Sequence, residues 1–126
     1  MKEITNPERL RLLGILSIVL DAYENAIFTL STDTCTVLYA KAFLYNRGLN
    51  RGICFYINYL FFENISSEME VAYIRDNMIK PILRKRSYSV YYGSIPDRCR
   101  TTKSILRSLE NQKELINNLI SSLKNQ

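Results

Sequence analysis

Two clusters of cations flank a run of tyrosines in the second half of the chain. Lys80, Arg84, Lys85 and Arg86 precede Tyr88, Tyr91 and Tyr92, and Arg98, Arg100, Lys103 and Arg107 follow them. Arg100, Lys103 and Arg107 recur at spacings of three and four, which on a helix places them on one face. Guanidinium groups take phosphates or carboxylates bidentately, and tyrosine rings stack on bases. The candidate ligand-binding set is therefore Arg84, Arg86, Tyr88, Tyr91, Tyr92, Arg98, Arg100, Lys103 and Arg107, with Arg47 and Arg51 around the Gly48 turn placed to join it. The alternative is a solvated basic face whose tyrosines pack as amphipathic core.

Catalytic chemistry finds little footing in these residue types. The chain has no histidine, so it lacks the commonest general base and the commonest zinc ligand. It contains no Walker loop, no GxGxxG and no GxSxG, the signatures of phosphate cradling, dinucleotide binding and the esterase elbow. Cys35, Cys54 and Cys99 are widely spaced, without a CxxC pair, and Cys54 sits in the most apolar segment, where a thiol is ordinarily an inert core residue. Glu68 with Glu70, or Asp21 with Glu24, could do acid and base work, but helix starts and solvated faces explain them better. A non-enzymatic protein with reduced thiols, no metal and no cofactor is expected. A formal charge of +5 favours an acidic partner, or is simply solubilising surface.

The elements that must position these side chains read as helices. Asn6, Pro7 and Glu8 predict a helix start, followed by Leu10, Leu13, Leu16, Leu20, Tyr23 and Ile27 as a core stripe. Asp33 is expected to cap a second helix running from Thr34 to about Tyr45, ended by the turn around Gly48. Gly52 to Phe62 is apolar nearly all round and predicts a central buried helix. Ser66 and Ser67 with Glu68 and Glu70 start a fourth, which Pro81 should kink or end. The stretch 87–93 has strand-like residue types and predicts a short extended segment or ordered loop. Pro96 and Asp97 open a last helix whose seam of Ile105, Leu109, Ile116, Leu119, Ile120 and Leu123 can dock on the core or on a second copy. No apolar stretch reaches the roughly 20 residues a membrane span needs, and Met1 to Leu20 lacks the order of a secretory signal. The expectation is a mainly α, single-domain bundle of about five helices over residues 1–126, soluble and cytoplasmic, with no membrane partner.

The segment Gly48-Leu-Asn-Arg-Gly52-Ile-Cys54-Phe-Tyr-Ile57, with the later tyrosine and proline loop and the Arg100 to Leu109 helix, resembles a loose group of small bacteriophage proteins carrying a Gly-Ile-Cys core helix. The likeness covers about half the chain, and the Trp and Phe-Pro residues often seen in the later loop are missing here. It implies a phage accessory protein acting in the host cytoplasm, a class whose members block host defences by gripping a host protein or sequestering a nucleotide signal. Gly52, Ile53 and Cys54 read as structural, so the resemblance carries over no binding residue. The functional expectation is thus an inhibitor that binds an anionic nucleotide-like ligand or an acidic host-protein surface. Nonspecific nucleic-acid binding through the same residues is the alternative, and a homo-oligomer through the C-terminal helix is a third reading.

Overall fold

The computed structural model describes residues 4–85 and 99–125. Helix α1 is Asn6–Leu30, α2 is Val37–Asn46 and α3 is Ile53–Phe62. Helix α4, Glu68–Tyr73, passes through a π-helical stretch, Ile74–Ile79, into α5, Lys80–Lys85; α6 is Thr102–Lys124. The fold is all-α among the described residues. The expected extended segment at 87–93 and the opening of the last helix at Pro96 and Asp97 lie outside them.

Local chemistry sets each start, at slightly different residues from those expected. Thr5, and not Asn6, caps α1: its hydroxyl accepts from the Glu8 N–H at 3.3 Å and the Glu8 carboxylate accepts from the Thr5 N–H at 3.1 Å. Thr36, and not Asp33, caps α2, accepting from the Tyr39 N–H at 3.1 Å. Thr101 caps α6, so Arg100 precedes that helix. Ser67 and Glu70 form a reciprocal box at α4, as the sequence indicates. Gly48, at φ +72°, ends α2 in a left-handed residue; the Leu49 N–H reaches the Leu44 carbonyl at 2.9 Å and the Gly48 N–H reaches that of Tyr45 at 3.1 Å. Pro81 neither ends nor breaks its helix. The backbone widens ahead of it, the Lys80 N–H bonding five residues back to Arg75, which accommodates a proline that has no N–H to give.

The core is organised on α1 and α6. Their direction is antiparallel, because the Thr102 hydroxyl at the start of α6 donates to the Cys35 carbonyl just beyond α1, at 2.9 Å. Leu12, Ile15, Leu16, Val19, Tyr23, Ala26 and Leu30 bury one side of α1. Ile105, Leu109, Leu115, Ile116, Leu119 and Leu123 bury the facing side of α6. This corrects the expected stripe: Leu16 and Tyr23 are core, Leu13, Leu20 and Ile27 are half-buried, and Leu10 is 57% exposed. So many positions of α1 are apolar that periodicity alone permits several stripes, and packing against α6 selects one. The apolar seam of α6 is therefore covered by α1, and a homo-oligomer through it would have to displace that helix.

By length and composition α1 is apolar enough to cross a membrane, contrary to the expectation that no stretch is. In the fold it carries a buried polar contact instead. The Tyr23 hydroxyl donates to Gln112 Oε1, and Gln112 Nε2 donates to Ser108 Oγ at 3.3 Å, all three residues being buried. Tyr23→Phe leaves the Gln112 oxygen without its donor and is expected to cost about 1–3 kcal/mol in denaturant unfolding. Burial first, then the neighbouring Cys54 and Tyr56, pushes the Tyr23 phenol far above its ordinary value of 10.0. A raised folded-state value means stability that is intact below pH 10 and lost as pH rises further, by about 1.4 kcal/mol per pH unit. In Tyr23→Phe this alkaline loss should be smaller.

Candidate functional site

Helix α3 presents two faces, and only one meets the core. Ile53, Tyr56, Ile57 and Leu60 are buried, whereas Phe55, Tyr59, Phe61 and Phe62 are exposed, Phe62 by 77%. The expected central buried helix is instead a half-covered one. Ten residues carrying no charge would need neighbours on every side, and α1 and α4 cover a single side. Monomeric proteins rarely leave such an aromatic patch in water without a use for it.

Beside this face lies a groove of about 630 Å³, walled by Phe55, Asn58, Tyr59, Phe61 and Phe62 of α3 and by Glu68, Val71, Ala72 and Arg75 of the α4 arm. Gly52, at φ +93°, caps α3 in a backbone conformation that disfavours any side chain, and Asn64, at φ +61°, ends it the same way as Gly48 ends α2. The Ile65 N–H closes that turn on the Leu60 carbonyl at 2.8 Å, which folds α4 back alongside α3. Arg11 of α1 then pins the α4 end, its Nε donating to Glu70 at 2.8 Å and its Nη2 to the Ile65 carbonyl. An aromatic ladder braces the other wall: Tyr23 meets Tyr56 edge-on at 6.5 Å, and Tyr56 stacks on Tyr59 at 5.7 Å.

Charge is distributed unevenly along the groove. At the Phe55 end the Arg51 guanidinium lies 4.7 Å over the Phe55 ring, and Arg75 donates to Asp76 through Nε at 3.0 Å. Asp76 also pairs with Lys80 at 3.0 Å. Hydrogen bonds from Arg75 and Lys80 hold the Asp76 carboxyl well below the usual carboxylate range, so this cluster keeps its charges through neutral and mildly acidic pH. Its sign is positive, three cations standing against one carboxylate. At the Phe62 end stand Glu68, which lines the groove, and Glu63, which follows Phe62.

No protein-family model, no curated protein and no solved structure matches the chain. The chemistry of the site comes from its own residues.

Of the sequence-based candidates, Arg100, Lys103 and Arg107 are exposed. Lys103 and Arg107 lie one turn apart on α6, while Arg100 sits ahead of its cap and so does not share the helix face expected of it. Arg84 is carried by α5, and Arg86, Tyr88, Tyr91, Tyr92 and Arg98 lie outside the described residues. Arg47 and Arg51 are both stacked on rings, Arg47 at 3.6 Å over Phe43. Cys54 is half-buried, and burial pushes its thiol up against the opposing pull of Arg75 and Lys80, which disfavours a thiolate nucleophile. Among the described residues no group of three or more His, Cys, Asp or Glu side chains could hold a metal. A smaller hollow of about 310 Å³ lies between the first turns of α1 and α4, but its carboxylates, Glu8 and Glu70, are committed to the two capping boxes.

Phe55, Tyr59 and Phe62 were not singled out by the sequence reading. Their signal was available: spacings of four and three define a second apolar stripe on a helix whose other face, Ile53, Tyr56, Ile57 and Leu60, already suffices for packing.

Proposed function

We propose that this chain is a non-catalytic binding protein that holds a protein partner, with the groove between α3 and α4 as its working surface. The observation that carries this reading is the exposed stripe Phe55, Tyr59 and Phe62 lining a concave, mainly apolar groove. Aromatic anchors seated in water-excluding pockets dominate protein interfaces, and the cations beside Phe55 give an acidic partner surface a place to pair. A small phosphate ligand fits the groove less well, because the lining is mainly apolar and aromatic and only one guanidinium, Arg75, lies in it. The phage-type inhibitor implied by the Gly-Ile-Cys resemblance is the setting in which we place this binding: a small protein that blocks a host defence component by occupying its surface.

Native mass spectrometry of the protein isolated from host cells tests the reading. A protein-sized mass added to the 14.7 kDa chain is the expected result. Retention of a small anion alone, lost in Arg100→Ala with Arg107→Ala, would replace this reading with a nucleotide-sequestering one.

A further inference from the structure

We infer that the groove takes an amphipathic helix with acidic residues in its first turn and basic residues in its last, lying parallel to α3; the inference rests on the groove being the working surface. Three features lead to it. The first is shape. Helices α3 and α4, joined by a tight turn, leave a concave channel, and Phe55 to Phe62 spans about 10.5 Å, two turns of a partner helix. A convex helix with apolar residues at spacings of four and three fills such a channel, as in other helix-in-groove recognition. A second copy related by a two-fold axis would instead set concavity against concavity and leave space unfilled.

The second feature is the charge gradient. Arg51, Arg75 and Lys80, set against Asp76, make the Phe55 end positive, and Glu68, which lines the groove, makes the Phe62 end negative, with Glu63 next to Phe62 in the chain. The third is that isolated helices favour acidic residues near their N-terminus and basic ones near their C-terminus, in accord with the helix dipole. An ordinary helix therefore matches this gradient only when its N-terminus lies beside Arg51 and Arg75.

Two stapled helical peptides of identical composition test this. Both carry Leu, Phe and Leu at the anchor positions; one has Glu in the first turn and Lys in the last, and the other has that order reversed. The first should bind at least about 10-fold more tightly by fluorescence anisotropy, because like charges meet at both ends of the second. The exchange Arg51→Glu with Glu68→Lys removes the charge difference between the two ends and should bring the two peptides to equal affinity. Equal binding of the two peptides by the parent chain, abolished by Phe62→Glu, would overturn the orientation and leave the groove reading intact. Binding of neither peptide, with a concentration-dependent dimer mass lost in Phe62→Glu, would overturn both in favour of a second copy.

Discussion

Leu16→Ala is expected to lower the unfolding free energy by about 2–5 kcal/mol, while Leu10→Ala, six residues earlier on the same helix, changes it by less than about 0.5 kcal/mol. Leu16 is fully buried on the face of α1 that meets α6, and truncating it opens a cavity in the most extensive helix pairing of the fold. Leu10 is 57% exposed and lies off that face. Domains are stable by about 5–15 kcal/mol, so the first substitution removes a large share of the whole and the second almost none. Urea unfolding, read as a shift in midpoint at constant slope, measures both. Equal losses at the two positions would mean that α1 packs on the stripe containing Leu10, Leu13 and Leu20.

The largest functional effect is expected for Phe55→Glu combined with Phe62→Glu. Each removes an aromatic anchor and puts a carboxylate where the partner's apolar side chains must sit. At about 2 kcal/mol or more per anchor, partner affinity should fall by about 1,000-fold. Stability should change little, because Phe62 is 77% and Phe55 43% exposed and both lie off the face of α3 that packs on the core. The control, Arg100→Ala with Arg107→Ala, should bind as the parent does. Full affinity in the glutamate variant with loss in the alanine variant would move the site to the basic face of α6.

The helical class was legible because the strongest local signals lie in sequence: the Ser67 and Glu70 box, the Gly48 stop and the seam of α6 each formed as spacing and residue type indicate. Caps moved by one to three residues, since several of Thr5, Asn6, Asp33 and Thr36 can serve and tertiary packing chooses among them. The stripe of α1 was not legible for a related reason. With nearly every residue between Leu12 and Leu20 apolar, the partner helix and not the period decides which face is core. For α3 the difficulty was greater, because uniform apolarity reads as burial, and only the number of neighbouring helices reveals that half of it remains in water. Cations and tyrosines announce binding chemistry in a sequence by their type alone; an aromatic groove is made of side chains that look like core until the fold leaves them uncovered.

Photo-crosslinking from inside the groove addresses the central proposal most directly. A photoreactive phenylalanine analogue at Tyr59, and separately at Lys103, is introduced into the chain and irradiated in living cells that produce it. The groove reading expects a discrete crosslinked protein band from position 59, removed by Phe62→Glu, and none from position 103. Crosslinks to nucleic acid or nucleotide from position 103, with none from position 59, would contradict it.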